Sequence, residues 1–414
     1  MISKPRLLVV SLVYPFPRSA GQQQRVYYKL RALRPHFHLT FLTVAPQANQ
    51  AEVQQKLLEL CDDAIVLPSA YTSSWLARLA HKAVGTLFSL FTGLKFSNYL
   101  AAQVELPPRR VIQAISGRNF SAALFEYWHT HQTAQALGAR GIYTILDMHD
   151  ILWRSYARQF DLRPSIPTWY KTWRVGQYQR LEEAAWNEYQ ALIAINQDEL
   201  EYARQHTRPG LNFFYAPMGT DISLWPYSWN PVQSPRRVAF YASLGSLHNQ
   251  QDALLCYREI MPVIWQTFPD VELWIVGSNP PDFIKNLERD PRVHVTGFVE
   301  RPQDVLQSMA LVLCPWSGTY GFRSRVVEVM ALGVPVVASR DAVHGMGFIE
   351  GQGIVTFDTA DAMGQQAMRF LVDESALQIQ SRAARQQIEQ NFSYEATYVA
   401  FSNALCDQWK DDDE

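Results

Sequence analysis

Paired cysteines are missing from this sequence, whose 414 residues include Cys61, Cys256, Cys314 and Cys406 at distant positions and no C-x-x-C. This scatter argues against a disulfide framework and against a structural zinc site, because both need cysteines at defined spacings. Scattered thiols are typical of proteins that fold in a reducing compartment. We therefore expect a cytoplasmic protein.

Positive charge is not in surplus either. Lysine and arginine number 37 against 39 aspartate and glutamate, and the formal net charge is −2. Nucleic-acid-binding domains usually carry a basic surplus, so we expect no nucleic-acid partner. The chain is 48% hydrophobic and 18% charged, which is typical of a globular protein, and its length predicts two or three domains.

Long apolar runs are the third absence. No stretch of 18 uninterrupted apolar residues occurs, which predicts no membrane-spanning helix. The N-terminal sequence MISKPRLLVVSLVYPFP begins like a signal peptide, with Lys4 and Arg6 before an apolar run. The run is short, ends in proline and is followed by no small-residue cleavage pattern, so we interpret it as the first buried strand.

One segment, residues 75–100, mixes large apolar residues with basic ones. Its apolar residues include Trp75, Leu79, Leu87, Leu90 and Phe91, and its basic residues include Arg78, Lys82 and Lys95. This composition indicates an interfacial helix that would hold the protein peripherally at the inner face of a membrane. Burial of the segment against the first sheet is the alternative.

Strand-like apolar runs alternate with helical patterns along both halves of the chain. This rhythm predicts an α/β protein with two doubly wound parallel sheets, and ligands of such sheets bind at the carboxyl ends of the strands. Residues 217–235 contain four prolines and little periodicity. We predict an N-terminal Rossmann-like domain at 1–216, a linker at 217–235, a C-terminal Rossmann-like domain at 236–390, and a final helix at 391–414 that packs back toward the first domain.

The most specific segment surrounds Glu328. A glycine turn at Gly321 precedes a predicted helix, and the N-terminus of a helix presents backbone N–H groups and a positive dipole end that suit a diphosphate. Arg323 and Arg325 add permanent positive charge, and Glu328 is placed to accept hydrogen bonds from a ribose diol. A generic helix with a solvated glutamate and two surface arginines is the alternative.

This segment and the M-A-L-G-V-P-V-V run that follows it resemble the nucleotide-sugar motif of family 4 retaining glycosyltransferases. That resemblance implies the GT-B fold, in which two Rossmann-like domains face each other across a cleft, with a nucleotide-sugar donor bound by the second domain. It implies the following nucleotide-sugar-binding residues: Gly245, Ser246, Asn249, Gly277, Phe298, Val299, Tyr320, Gly321, Phe322, Arg323, Arg325 and Glu328.

The resemblance extends more weakly into the first half. Gly21 and Arg25 follow the first strand, as does the family's N-terminal glycine loop, and are expected on the acceptor side together with Glu126. His149 ends a strand where relatives place a histidine near the reacting sugar. His149 and Arg325 are the predicted catalytic residues, although a strand-end cap is the alternative role for His149.

Two departures from the family pattern bear on the donor. Tyr320 stands where the family often has a glutamate, which affects the expected contacts with the donor sugar. Leu247, His248 and Asn249 stand near the position of the family's usual arginine and lysine. Neutralisation of the diphosphate is therefore expected from Arg323 and Arg325, and the absence of D-x-D in a plausible loop leads us to expect neither a metal nor a cofactor.

The function that this resemblance implies is retaining transfer of a hexose from a nucleotide-diphosphate sugar to a glycan or lipid-linked glycan, in exopolysaccharide or capsule synthesis. A UDP-sugar such as UDP-glucose is the expected donor. Two alternatives stay open: a nucleotide-sugar 2-epimerase with the same fold, and a non-catalytic nucleotide-sugar-binding subunit of a polysaccharide synthase complex.

Overall fold

The structure is a computed structural model that describes residues 4–18, 20–70, 74–92, 96–161, 165–318 and 321–408. The chain divides into two compact units. The first comprises Met1–Ala216 together with Tyr398–Glu414, and the second comprises Pro217–Thr397.

The first unit is built on a seven-stranded parallel sheet. Its inner strands are apolar runs that are mostly buried, as parallel strands covered by helices require, whereas the two edge strands are partly exposed. They are β1 (Arg6–Val10), β2 (His38–Ala45), β3 (Asp63–Pro68), β4 (Ala122–Glu126), β5 (Tyr143–Asp147), β6 (Ala191–Ala194) and β7 (Asn212–Tyr215). The spatial order is β3-β2-β1-β4-β5-β6-β7, so the sheet switches direction at β1 and β4.

Helices connect these strands. They are α1 (Gly21–Leu33), α2 (Gln50–Leu57), α3 (Trp75–Thr92), α4 (Phe96–Glu105), α5 (Pro108–Ala114), α6 (His131–Gly138), α7 (Leu152–Asp161), α8 (Thr168–Trp186) and α9 (Gln197–Gln205). The inward face of α1 carries Val26, Leu30 and Leu33, and also two charged residues, Arg25 and Lys29, all of them buried. Charged residues are rarely buried unless they are paired, so Arg25 and Lys29 are expected to have buried acidic partners.

The second unit repeats the architecture with six parallel strands. They are β8 (Arg237–Tyr241), β9 (Glu272–Val276), β10 (Val293–Gly297), β11 (Leu311–Cys314), β12 (Val336–Ser339) and β13 (Ile354–Phe357), in the order β10-β9-β8-β11-β12-β13. Its helices are α10 (Leu247–Leu255), α11 (Met261–Trp265), α12 (Asp282–Lys285), α13 (Pro302–Leu306), α14 (Ser324–Ala331), α15 (Arg340–Val343), α16 (Ala360–Val372) and α17 (Glu374–Asn391). The predicted α/β class with two doubly wound sheets is confirmed.

The segment predicted as a linker, 217–235, groups with the second unit instead of standing apart. The indole Nε1 of Trp229 donates to the carbonyl of Met309 at 2.9 Å, and the backbone N–H of Ser228 donates to Leu332 at 3.1 Å. Trp225 and Trp229 pack against the core of this unit. These partly buried tryptophans attach the proline-rich segment to the second unit, and the prediction of a separate linker is corrected accordingly.

The end of the chain returns to the first unit. Residues 391–397 stay with the second unit, where the backbone N–H of Thr220 donates to Phe392 at 2.8 Å. The last helix, α18 (Ala400–Asp407), buries Phe401 and Leu405 in the core of the first unit. The hydroxyl of Ser402 donates to the carbonyl of Ala32 at 2.9 Å. The change of unit therefore falls after Thr397 and not at 391.

The helix predicted from residue 75 is α3, and its apolar side is exposed. Trp75, Leu79 and Phe91 are 68%, 54% and 80% exposed, so the alternative of burial against the sheet is wrong for these residues. Lys95, which was part of the predicted interfacial segment, lies outside the described residues. Within the part of the chain that the structure describes, no helix is long and apolar enough to cross a membrane.

Candidate functional site

The carboxyl ends of β8, β9 and β11 in the second unit lie beside the start of α14, as expected for a doubly wound sheet. Gly277 follows β9 so closely against the neighbouring loop that a Cβ there would lie 1.7 Å from the carbonyl oxygen of Ala242. Gly321 adopts a φ of +67°, a left-handed conformation that favours glycine. These two glycines allow the tight backbone that the sequence motif predicts.

Glu328 is the centre of a small polar cluster. It lies on α14, only 4% exposed, and its Oε2 accepts a hydrogen bond from the guanidinium of Arg325 at 2.9 Å. The hydroxyl of Tyr241, at the end of β8, donates to the same oxygen at 3.2 Å. Arg325 also contacts the Tyr241 hydroxyl, and its guanidinium carbon lies 4.3 Å from the centre of the tyrosine ring. The side chains of Tyr241, Arg325 and Glu328 thus form a mutually bonded cluster near the N-terminus of α14.

The electrostatics of this cluster keep Arg325 charged. Burial would lower the pKa of Arg325, but the carboxylate of Glu328 and the Tyr241 hydroxyl raise it above its ordinary value. Burial, followed by the neighbouring Glu328, raises the pKa of Tyr241. The tyrosine is therefore a neutral hydrogen-bond donor, and the arginine is a permanent cation that is half-exposed. A cation at a helix N-terminus is the arrangement that an anionic ligand requires.

Arg323 and Arg325 point to different neighbours. Arg323 immediately precedes α14; its Nη2 lies 3.5 Å from the carbonyl of Gly318, and its guanidinium is 5.9 Å from the ring centre of Trp316. Arg325, two residues on, points to Tyr241 and Glu328. Arg323 is the N-cap residue and lies outside the helix, and its guanidinium group has different neighbours from that of Arg325.

The other predicted donor residues of the second unit have varied surroundings. Asn249 donates through Nδ2 to the carbonyl of Ser243 at 2.8 Å, so it orders the loop in which Gly245 and Ser246 are exposed. Phe298 is 78% exposed directly after β10. The remaining residues are Val299 and Phe322, which are half-buried against the core, and Tyr320, which lies outside the described residues.

The first unit contains a buried cluster of five charged or titratable side chains. Arg25 pairs with both carboxylate oxygens of Asp147, through Nε at 2.8 Å and Nη2 at 3.0 Å. Lys29 contacts Asp147 and lies 2.6 Å from Oε1 of Glu126. His149 Nε2 lies 2.6 Å from the other oxygen of Glu126. All five side chains are at most 6% exposed.

Opposite charges stabilise the ionised carboxylates of this cluster. Burial alone would raise the pKa of Glu126, but Lys29 and the hydrogen bond with His149 hold it below its ordinary value. Burial likewise opposes ionisation of Asp147, and Arg25 and Lys29 lower its pKa strongly. The cluster therefore pairs two carboxylates with two basic side chains, Arg25 and Lys29.

The spacing of three of these residues resembles a metal site. Ligand atoms of Glu126, Asp147 and His149 lie within 4.8 Å of one another. Lys29 and Arg25, however, already neutralise both carboxylates at hydrogen-bond distance. A divalent ion would have to displace two buried cations, so this donor set does not fit a metal.

His149 and its neighbour Tyr127 adopt unusual backbone conformations. Their φ angles are +61° and +66°, in the left-handed region that costs energy for residues other than glycine. The rings stack with centroids 4.1 Å apart, and Tyr127 donates to Oε1 of Gln22 at 2.9 Å. The backbone N–H of His149 donates to Oδ1 of Asp147 at 3.2 Å, which helps to hold the strained turn.

A cavity of about 540 Å³ opens beside this cluster within the first unit. Its lining combines apolar and aromatic residues with polar ones: Leu12, Val13, Tyr14, Phe16, Gln22, Gln23, Ala101, Ala102, Glu126, Tyr127, His129, Thr130 and Leu152. Of the predicted acceptor-side residues, Glu126 lines the cavity. Gly21, the first residue of α1, immediately precedes Gln22, which also lines the cavity. Arg25 is 1% exposed, its Nη1 donates to the carbonyl of Ala216 at 2.7 Å, and it does not line the cavity.

Sequence reasoning missed Lys29 and Tyr241 and did not assign a role to Asp147. For Lys29 a signal existed, because it follows Arg25 by four positions and interrupts an apolar helix face. Tyr241 has no local signal apart from its position at the end of a strand. Its partner Glu328 lies 87 residues further along the chain.

Comparison with known proteins finds similarity that includes most of the second unit. A family model described as glycosyl transferases group 1 matches residues 236–373. A phosphatidyl-myo-inositol mannosyltransferase from Mycolicibacterium smegmatis is 27% identical over 165 residues, which cover 38% of this chain and 42% of the relative. The match thus spans less than half the length of this relative.

Solved structures resemble the whole chain. Sucrose-phosphate synthase from Thermosynechococcus elongatus superposes with a TM-score of 0.67 at 15% identity, covering 99% of each chain. HepE from Anabaena, solved in complex with UDP and glucose, gives a TM-score of 0.63 at 14% identity and covers 98% of this chain and 99% of its own. The chain therefore has the GT-B fold, and its residues 236–373 resemble the glycosyl transferases group 1. The glycosyltransferase resemblance and the GT-B fold that the sequence predicted are confirmed.

Proposed function

We propose that this chain is a retaining glycosyltransferase that moves a hexose from a nucleotide-diphosphate sugar, such as UDP-glucose, to a glycan or lipid-linked glycan in exopolysaccharide or capsule synthesis. The observation that carries the proposal is the pairing of Arg325 with Glu328 at the head of α14, inside the matched residues 236–373. Two relatives support the choice of substrates. HepE was solved with UDP-glucose, and the mannosyltransferase relative is named for a phosphatidyl-inositol acceptor.

The second unit would bind the donor. Glu328 is a buried carboxylate whose Oε2 already accepts two hydrogen bonds, and a ribose diol would add donors to the same group. Arg325 is half-exposed and charged, and a diphosphate would attract its guanidinium away from Glu328. The first backbone N–H groups of α14 and the helix dipole add to this attraction. As the diphosphate leaves, these fixed charges stabilise the negative charge that develops on it.

The first unit would bind the acceptor. The cavity beside Glu126 offers aromatic faces and amide side chains, which suit a sugar and an apolar group attached to it. In the proposed reaction the acceptor hydroxyl oxygen bonds to the anomeric carbon on the face from which the diphosphate departs. The bond between that carbon and the phosphate oxygen breaks, and the departing diphosphate takes the hydroxyl proton, so no protein nucleophile is needed. His149 would orient the reacting sugar. Glu126 holds the imidazole ring of His149 in place through the contact at Nε2.

Metal independence is part of the proposal. Arg325 and the α14 N-terminus supply positive charge where a divalent ion would otherwise be needed, and the carboxylates of the first unit are already paired with Lys29 and Arg25. We also place the reaction in the cytoplasm, at the inner face of the membrane. The four cysteines are free thiols, which suits a reducing compartment.

A single set of measurements tests this function. Purified protein is titrated with UDP, GDP and ADP, and then incubated with a panel of nucleotide sugars with and without glycan acceptors. Tight binding of UDP and an acceptor-dependent product with the donor's anomeric configuration are expected. A free epimerised sugar would identify the 2-epimerase alternative. Binding without turnover on any donor or acceptor would identify the non-catalytic alternative.

A further inference from the structure

Helix α3 has a broad apolar face that no described part of the chain covers. Successive residues of a helix are rotated by about 100°, which places its large apolar side chains within one half of the circumference. They are Trp75, Leu76, Leu79, Val84, Leu87, Leu90 and Phe91, and each is more than half exposed. Exposed apolar surface that is concentrated in this way marks an interaction site.

The opposite side of α3 is narrow, and it is the side on which the described residues are shielded from solvent. Gly85 is buried, and Ala77 and His81 are half-buried. The helix therefore rests on the first unit through this side and directs the seven exposed apolar residues away from it. Arg78 and Lys82 are exposed along one edge of the apolar face. An apolar face with a basic edge is typical of helices that lie in a membrane interface.

The segment that contains α3 carries only positive charge. Residues 64–104 include no aspartate or glutamate, although the whole chain has 39 of them in 414 residues. The next acidic residue, Glu105, is buried and binds the chain at the N-terminal end of this segment. It accepts hydrogen bonds from the hydroxyl of Ser69 at 2.6 Å and from the backbone N–H of Ala70 at 2.8 Å.

We propose that the apolar face of α3 docks onto an anionic lipid surface, with the helix axis parallel to the membrane. The apolar side chains would enter the boundary between headgroups and acyl chains, and Arg78 and Lys82 would lie among the anionic headgroups. Both basic residues, together with the partly buried His81, oppose a spanning orientation. A second copy of this chain is a poorer occupant, because it would bring two basic edges together without an acidic partner.

A short stretch of chain joins the C-terminal end of this surface to the cavity of the first unit. Ala101 and Ala102, on the next helix α4, line that cavity. Chain length alone keeps Ala101 within roughly 22 Å of the end of α3, counting extended residues up to α4 and helical residues beyond. If the proposed transfer to a lipid-linked glycan holds, docking through α3 brings the cavity near the headgroups from which such an acceptor projects.

Flotation of the full chain with vesicles tests the docking surface. Vesicles of phosphatidylcholine alone are compared with vesicles that also contain phosphatidylglycerol, at low and high salt. The protein is expected to float with the anionic vesicles and to do so less at high salt. The double variant Leu79→Glu/Leu87→Glu should lower the bound fraction by at least about tenfold, and Arg78→Glu/Lys82→Glu should abolish the preference for anionic lipid.

Ile379→Glu is the matched control, because Ile379 is 65% exposed on α17 of the second unit. This variant should float like the unmodified protein, and melting temperatures show that all variants are folded. Absence of vesicle binding by the unmodified protein would overturn the proposal, as would unchanged binding by Leu79→Glu/Leu87→Glu. Dimerisation in light scattering that these substitutions abolish would also overturn it in favour of a second copy. No donor or acceptor is used, so failure here leaves the proposed transfer untouched.

Discussion

The hydroxyl of Tyr241 and the carboxylate of Glu328 are hydrogen-bonded at 3.2 Å, although the residues lie 87 positions apart on β8 and α14. Arg325 completes the contact by binding the same carboxylate oxygen. The proposed donor site is thus held by an interaction between the end of a strand and the first turns of a helix.

Tyr241→Phe removes the hydroxyl but keeps the ring on which Arg325 packs. We expect the free energy of unfolding to fall by about 1 kcal/mol, because Glu328 loses one hydrogen bond and keeps the one from Arg325. UDP affinity should fall as well, since Glu328 is held less firmly. Chemical denaturation and calorimetry measure the two effects. Tyr257→Phe, in the same unit and packed edge-on against Trp265, is the control and should change UDP affinity little.

Arg325→Ala and Glu328→Ala separate the two ends of the proposed nucleotide. Loss of the guanidinium should weaken UDP binding by about tenfold or more and leave uridine binding nearly unchanged, because the expected partner is the diphosphate. Loss of the carboxylate should weaken UDP and uridine alike, because the expected partner is the ribose. Both are measured by calorimetric titration.

Arg340→Ala serves as the control for these variants, since Arg340 forms an exposed ion pair with Asp358 in the same unit. Turnover should persist in EDTA if fixed positive charge replaces a metal. Activity that EDTA abolishes and Mg²⁺ or Mn²⁺ restores would contradict the metal-free mechanism. Normal UDP affinity in Arg325→Ala would contradict the assignment of that residue.

The sheets and the α14 motif were predictable because their signals are local. A parallel strand that is buried on both faces is a continuous apolar run, as β1 with its sequence RLLVV shows. Gly321 and Glu328 lie in one short segment, so their spacing alone places the glycine before the helix and the carboxylate on it.

The parts that sequence could not supply depend on distant partners. The pairing of Tyr241 with Glu328 needs the order of strands in the folded sheet. The attachment of 217–235 to the second unit depends on the hydrogen bond from Trp229 to the carbonyl of Met309, which is distant in sequence. The orientation of α3 was equally hidden, because an amphipathic pattern shows that one face is apolar without showing whether that face is covered.

His149→Asn tests the proposed role of the imidazole in transfer. Asparagine tolerates a positive φ better than alanine does, so this variant removes the ring with little added strain at φ +61°. Turnover should fall by about 100-fold while UDP affinity stays nearly the same, in line with the loss of a positioned catalytic group. His206→Asn, at an exposed histidine stacked on Tyr202, is the control. Unchanged turnover in His149→Asn would show that His149 only caps the end of the strand and takes no part in transfer.

Lys29→Met tests the buried cluster beside the cavity. It leaves Glu126 and Asp147 with one permanent cation, Arg25, and removal of one member of a buried ion network typically costs about 3–5 kcal/mol. Lys29→Arg keeps the charge and should cost much less. Urea denaturation at pH 7 measures the difference between the two variants.

The pH dependence of Lys29→Met distinguishes charge from packing. The pKa values of Glu126 and Asp147 are lowered in the folded protein, from ordinary values of 4.5 and 3.8. Their ionised forms therefore stabilise the fold fully above about pH 4.5, and that contribution is lost as pH falls toward the folded-state values. In Lys29→Met the carboxylates lose the cation that lowers their pKa, so the variant should be most destabilised at neutral pH. The difference in unfolding free energy between the variant and the unmodified protein should shrink as pH falls below 4.5. A difference that stays constant with pH would show that Lys29 acts through its packing and not through its charge.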